Sequence, residues 1–443
     1  MLLGTISTIL SATIVNVAFP ALIDEFHVGH DELQWIAAGY LAAMTATMLA
    51  TAWLVQTLGE RAAFVGMLAL FLGASLLAAA SWSTHALIVA RVIQGGAAGV
   101  LQPLAMIVLF RVFPIEERGH AMALYGFGIV LAPAIGPAIG GMLLDAFGWR
   151  SIFLLTIPSS IAGIVLGIRT LPGATRAASL RFDAVGWLLL AASLVALLNV
   201  PVVGHRQGFA SADVLGLIVA SVALATAFIG WERRTRSPLL PIALFRHRPF
   251  VGASIVAFAY GIGLFGSTYL VPVFAQQIAH YDATDAGWLL MPPGVALAIA
   301  IVAGGRLSDR MHPAPIIIAG LALFALSSLL LAFAGAATGF VLLALWLVIG
   351  RVGLGMLIPA LNVAAVQSLS GAELAYASAA VNFVRQLGGA IGVNLLAVVL
   401  EWRLGATAAN PARAFHECFA IVTLAFALAI VPAWFIRTRA EDT

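Results

Sequence analysis

The chain has 443 residues, of which 62% are hydrophobic and 9% charged, and its mean hydropathy is +1.06. Soluble domains are about 45–50% apolar and about 25% charged, so the water-soluble globular classes are excluded. The formal charge of +3 is carried by arginine alone, since lysine is absent, and those arginines are scattered rather than gathered into the basic face that nucleic-acid binding requires.

The apolar runs are about 20 residues long and do not alternate, which predicts membrane-spanning helices rather than barrel strands. The expected fold class is therefore all-α integral membrane, with about 14 transmembrane helices. Taken in order, the predicted spans are 2–22, 34–55, 62–81, 86–110, 121–144, 151–169, 184–203, 212–231, 250–273, 285–304, 314–334, 338–366, 376–400 and 414–436. The first begins at Leu2 with no basic stretch ahead of it and no small-residue cleavage site, so it reads as a span rather than a signal peptide. Cys418, the single cysteine, lies inside the last apolar run, which leaves no disulfide or thiolate metal site within one chain.

Arginine placement sets the orientation. One set of loops and the C-terminus holds Arg61, Arg111, Arg118, Arg169, Arg176, Arg181, Arg233, Arg234, Arg236, Arg246, Arg248, Arg306, Arg310, Arg437 and Arg439, whereas the opposite set holds Arg150, Arg206, Arg403 and Arg413. The first set is expected to be cytoplasmic, with both termini inside, in a multi-pass protein of the bacterial inner (plasma) membrane.

The longest loops, 170–183 and 232–249, bracket spans seven and eight. The expected organisation is an N-terminal six-helix bundle (1–170), a two-helix insert with flanking cytoplasmic loops (171–249) and a C-terminal six-helix bundle (250–443). A faint repeat relates the bundles. Gln56–Arg61 and Gly305–Arg310 close corresponding hairpins, and Arg91, Gly95 and Pro103 are echoed by Arg351, Gly355 and Pro359. Repeats of this kind build a midplane binding site between two rocking halves in many transporters.

Several motifs occur in order. The first span reads Leu10-Ser11-Ala12-Thr13-Ile14-Val15-Asn16-Val17-Ala18-Phe19-Pro20, the hairpin Gly305-Arg306-Leu307-Ser308-Asp309-Arg310, and span four Arg91-Val92-Ile93-Gln94-Gly95-Gly96. Span five carries Gly128, Pro133, Gly136, Pro137, Gly140 and Gly141, with Asp145 and Trp149–Phe153 following. Ser237–Leu240 with Leu244–Arg246, and Asn382–Gly392, complete the set. Together these resemble the major facilitator superfamily, and the last two resemble its fourteen-helix drug–proton antiporter branch. The resemblance implies a secondary active transporter, not an enzyme, that exports lipophilic small molecules by proton antiport. Membrane lipids, protons and, where the cell has an outer membrane, a periplasmic adaptor protein are the implied partners; no cofactor, metal or nucleic acid is.

Two departures bear on mechanism. Ser11 stands where the branch has an acidic residue implicated in proton or cation handling, and Gln56 stands where the first hairpin has an aspartate. In the second hairpin Asp309, followed by Arg310, is free to accept hydrogen bonds at a neighbouring helix N-terminus and latch one conformation. A guanidinium in hydrocarbon costs at least a few kcal/mol, so Arg91 must face a partner or a water-filled cavity. The resemblance assigns it to proton coupling, and pairing with backbone carbonyls or a polar neighbour remains open. Small residues at Gly136 and Gly140, with the bend at Pro137, allow close helix approach.

None of the nineteen acids falls near the middle of a predicted span. Asp145 or Asp285 is the expected proton carrier, acting with Arg91. Buried cations without a carboxylate favour neutral or anionic substrates over permanently cationic ones. The expected substrate pocket draws on Asn16, Tyr40, Gln94, Tyr125, Tyr260, Trp288, Asn382, Arg385 and Gln386, while Trp82, Trp149, Trp231 and Trp434 are expected in interfacial belts. The group Asp24, Glu25, His27, His30, Asp31 and Glu32 reads as a solvated acidic loop in preference to a metal site or pH sensor. No Walker-type loop or catalytic constellation is present in the sequence. The competing expectation is a facilitator or uptake transporter of a metabolite without proton antiport, which Ser11 and Gln56 favour.

Overall fold

The computed structural model describes residues 1–27, 30–114, 117–173, 181–281, 283–367, 369, 372–406 and 410–437. The side chains of Asn16 and Pro137, and of Asp24, His30, Asp31 and Glu32, lie outside the described ones. All regular structure among the described residues is helical, as a chain in hydrocarbon requires when every backbone N–H and C=O must be paired within its own segment.

Helix α1 (Leu2–Ile14) passes through a 3-10 turn (Val15–Ala18) into α2 (Phe19–Phe26), followed by α3 (His30–Met48), α4 (Thr51–Ala79), α5 (Thr84–Val112) and α6 (Arg118–Phe147). Next come α7 (Arg150–Leu154), α8 (Ile157–Thr170), α9 (Ala184–Gln207) and α10 (Ala212–Glu232). The remainder is α11 (Arg248–Gln277), α12 (Ala283–Ser308), α13 (Pro313–Leu331), α14 (Phe340–Val366), α15 (Ala372–Ala406) and α16 (Pro411–Ala433). Eleven helices are long and apolar enough to cross a membrane, among the described residues. This is fewer than the fourteen predicted spans; α1 (Leu2–Ile14) and the part of α3 at Trp35–Met48 stand as shorter apolar helices, and part of α6 lies outside the described side chains.

The second and third spans differ in detail from expectation. The helix predicted over 34–55 breaks after Met48 and resumes at Thr51, and the predicted loop 56–61 is a single-residue turn inside α4. Gly59 makes that turn at φ 80°, ψ 165°, a conformation that a Cβ would strain.

The chain divides into two units. Unit 1 comprises Met1–Arg111, Gly128–Ile242 and Gly371–Phe383; unit 2 comprises Val112–Phe127, Ala243–Ser370 and Val384–Thr443. Within unit 1, α4 packs on α7 and α8, α1 on α8, and α9 on α10 and α3. Its apolar core includes Ile14, Val15, Leu22, Ile36, Leu87, Trp149 and Phe153. Trp149 is a correction to the expected belt: it is 5% exposed, with its ring 5.5 Å from Phe26 and 6.2 Å from Phe153, because the turn between α6 and α7 folds it inward. Trp82, at 76% exposure, does stand at the surface. The α9–α10 pair is joined by reciprocal bonds, Ser193 Oγ donating to Ser221 O (2.9 Å) and Ser221 Oγ to Ser193 O (3.0 Å). Small hydroxyl residues let two lipid-exposed helices approach and hold each other where no hydrophobic drive separates protein from solvent.

Within unit 2, α14 packs on α12, α13 and α11, and α16 packs on α13 and α11. Phe324 and Phe426 meet at 4.3 Å with their rings tilted by 40°, and Phe274 meets Phe415 and Phe419 edge-on at 5.7 and 6.0 Å.

Candidate functional site

The centre of unit 1 is polar. Arg91, fully buried on α5, donates from Nε to Ile36 O (3.2 Å) and from Nη1 to Ser11 Oγ (2.8 Å) and Gln94 Oε1 (2.6 Å). Its Nη2 has no hydrogen-bond partner. The Tyr40 ring covers the guanidinium, with Cζ 4.1 Å from the ring centroid, and the Tyr40 hydroxyl donates to Thr8 O (2.6 Å). Gln94 in turn donates to Ser75 Oγ (2.7 Å), and Ser75 bonds Phe71 O (2.9 Å). Four helices therefore converge on one cation: α1 through Ser11, α3 through Ile36 and Tyr40, α4 through Ser75, and α5 through Arg91 and Gln94.

A buried guanidinium is normally tolerated when a carboxylate neutralises it, because desolvation otherwise costs several kcal/mol. Here its partners are a carbonyl, a hydroxyl, a carboxamide and an aromatic face, all without formal charge. The position that resembles the branch's acidic site, Ser11, is the one in direct contact with Arg91.

A second arrangement belongs to unit 2. Asp309, one residue beyond α12, accepts from the Gly119 N–H at Oδ1 (2.6 Å) and from the His120 N–H at Oδ2 (2.8 Å). These are first-turn donors of α6 that the helix itself leaves unpaired, and the positive end of its dipole adds to the attraction. A Cβ at Gly119 would lie 2.3 Å from Gly305 O, so the approach depends on glycine. Arg310 is exposed. The corresponding hairpin in unit 1 carries no charge at this place: Gln56 faces the Tyr376 hydroxyl. Beside it, buried Glu60 pairs with Arg111 at 2.6 Å, and Arg61 Nε donates to Leu171 O (2.6 Å).

The glycines of α6 lie against α1. A Cβ at Gly136 would meet Leu10 Cδ1 at 3.0 Å, and one at Gly140 would meet Ile14 Cγ1 at 2.5 Å. Pro137, between them, has its side chain outside the described ones. Asp145 is exposed in the last turn of α6 and is not among the partners of Arg91; Asp285 is exposed in the first turn of α12.

Of the expected pocket residues, Tyr40 and Gln94 join the Arg91 cluster. Tyr125 and Tyr260 are buried at 6% and 1% exposure, and Arg385 and Gln386 are half-buried. Asn382 Nδ2 donates to Ser378 O (2.8 Å) and reaches Met106 Sδ at 3.5 Å, a polar group among packed side chains in unit 1. Trp288 is 58% exposed, and the Asn16 side chain is outside the described ones. Glu25 pairs with Arg150 at 3.3 Å, and among the described residues no group of three metal-ligating side chains occurs.

Sequence reasoning missed Ser75, Ile36 and the Gly119–His120 backbone. A serine in an apolar helix and two backbone groups carry no pattern of their own; the signal available was the need of Arg91 and Asp309 for partners.

The model of the Major Facilitator Superfamily matches residues 1–393. The chain is 32% identical over 406 residues to the Multidrug resistance protein B homolog of Mycobacterium tuberculosis, covering 90% of this chain and 75% of that one. It is 28% identical over 443 residues to the Methylenomycin A resistance protein of Streptomyces coelicolor, covering 99% and 91%. The crystal structure of the human organic anion transporter MFSD10 (TETRAN) superposes with a TM-score of 0.70 at 16% identity, covering 98% of this chain and 97% of that one, which speaks to the fold. With its helical architecture, its hairpin aspartate on a helix N-terminus and its buried α5 arginine, the chain belongs to the Major Facilitator Superfamily.

Proposed function

We propose that the chain is a multidrug-type exporter of lipophilic small molecules, working by alternating access and proton antiport, in the fourteen-helix branch of the superfamily. The observation that carries the reading is the buried polar cluster around Arg91, in a chain 32% and 28% identical to proteins named for multidrug and methylenomycin resistance. Fourteen spans follow when the eleven counted helices are joined by 2–26, 30–58 and 118–147, with Gly59 turning the second span into the third. An even number, with the arginine bias of the loops, supports both termini in the cytoplasm of a bacterial inner membrane. The sequence repeat supports two six-helix bundles with α9–α10 as the insert.

In this reading the Arg91 cluster is the polar floor of the substrate path. A cation that no carboxylate neutralises disfavours quaternary ammonium compounds and favours neutral or anionic lipophiles. Asp145 or Asp285 carries the proton, and the Asp309 latch on α6 holds one of the alternating conformations. A periplasmic adaptor completes export where an outer membrane exists.

A second reading, facilitation without proton movement, draws on one observation: Ser11, which cannot ionise, occupies the place beside Arg91. Transport by the purified protein in liposomes, tested with matched neutral, anionic and cationic lipophiles, separates substrate classes. Flux of the neutral and anionic members is expected, and transport restricted to quaternary ammonium dyes would refute the charge argument.

A further inference from the structure

Unit 2 contains a second guanidinium that neither the latch nor the Arg91 cluster uses. Arg351, on α14, lines a cavity enclosed by α11, α13, α14 and α16, together with Ser267, Ser327, Ser328, Phe324 and Phe419. The cavity has room for about one water-sized particle. Its lining includes no carboxylate. Among the described residues Arg351 makes no hydrogen bond and no ion pair; the group that it senses electrostatically is Tyr260, which lies near Arg385 as well.

The chemistry of the lining is one-sided. Arginine has five N–H donors, no acceptor, and stays charged in proteins. Ser267 Oγ donates to Leu264 O (3.1 Å) and Ser327 Oγ to Trp346 O (2.6 Å), so their protons are committed to the backbone. The Ser328 hydroxyl, 3% exposed, has no such partner and is free to donate. The site thus offers donors and positive charge, with a second cation beyond Tyr260, inside a helix bundle where uncompensated charge costs several kcal/mol.

We propose that this cavity binds one small monovalent anion, chloride under physiological conditions, held by the Arg351 guanidinium and the Ser328 hydroxyl. Water would satisfy some donors but leave the charge uncompensated. With room for about one water-sized particle, the cavity favours a monatomic anion over the larger carboxylate, sulfate and phosphate. The inference does not depend on what the protein transports.

The test is equilibrium binding of radiolabelled chloride to the purified full-length protein in chloride-free gluconate buffer, with bromide, sulfate and gluconate as competitors. The expected result is saturable binding at a single site, displaced by bromide and not by sulfate or gluconate. It is lost in Arg351→Gln, about tenfold weaker in Ser328→Ala, from which one hydrogen bond to an ion is removed, and unchanged in Arg234→Gln, which is exposed. Absence of saturable chloride binding to the wild-type chain overturns the proposal, as does binding that persists in Arg351→Gln. If Arg351→Gln fails to fold, Ser328→Ala, which removes a single hydroxyl, decides: unchanged affinity overturns the site.

Discussion

Replacing Ser11 by aspartate gives the buried cation the neutralising partner that it lacks. Ser11 Oγ stands 2.8 Å from Arg91 Nη1, and Nη2 is unpartnered, so a carboxylate at this place faces one bonded and one free N–H. At a charge separation of about 4 Å and an effective dielectric near 20, the Coulomb attraction is about 4 kcal/mol. Breaking a buried pair costs about 3–5 kcal/mol, and the existing hydroxyl bond already contributes about 1, so the net gain expected is about 2–4 kcal/mol. The sign with pH follows: the gain is present while the carboxylate is ionised and is lost on acidification as it takes up a proton. Thermal melting of Ser11→Asp in detergent should exceed wild type by the same margin at pH 8 and pH 5, with the difference shrinking only below the ordinary aspartate pKa of about 3.9, while Ser11→Asn shows no such pH dependence. A Ser11→Asp variant less stable than wild type at pH 8 would refute the idea that Arg91 is uncompensated and faces Ser11.

Other expectations follow from single contacts. Gln94→Leu leaves Arg91 Nη1 with Ser11 alone and strips Ser75 of its donor, and should cost about 2–4 kcal/mol of stability by the same melting assay. Tyr40→Phe, which keeps the ring over Arg91 and loses the bond to Thr8 O, should cost about 1 kcal/mol, with Tyr40→Leu costing about twice that. Asp309→Asn replaces a charged acceptor of two N–H bonds and should weaken the α6 latch by about 2–3 kcal/mol, a shift of roughly 30- to 150-fold between joined and parted arrangements. The labelling rate of a His120→Cys reporter reads that shift, and Gly119→Ala should move it in the same direction.

What the sequence made legible was what composition and spacing encode. Apolar run length gave the helices, including α5, α11 and α14, because hydrocarbon leaves the backbone little choice. The hairpin motif pointed to Asp309 and to a helix N-terminus, although which N–H groups would donate to it depended on Gly119 meeting Gly305, a tertiary contact. Arg91 was recognisable as a guanidinium in need of a partner, yet the partner was not: Ser11 lies 80 residues away, and its relevance had been read from the missing acid rather than from contact. Trp149 was misplaced because a tryptophan beside an arginine at a helix end has the composition of a belt residue, whereas the turn before α7 folds it onto Phe26 and Phe153. The one-residue turn at Gly59 was hidden inside what looked like a polar loop, since backbone dihedrals leave no trace in hydropathy.

The central claim, proton-coupled export by a chain whose buried Arg91 faces Ser11, is tested most directly by counting protons. The purified protein is reconstituted in liposomes holding a pH-sensitive dye and challenged with a transported neutral or anionic lipophile. Proton movement opposite to the substrate, abolished by a protonophore, is the predicted result and assigns the coupling carboxylate to a place other than residue 11. Substrate flux that proceeds without proton movement would contradict antiport and leave a facilitator built on an exporter's fold.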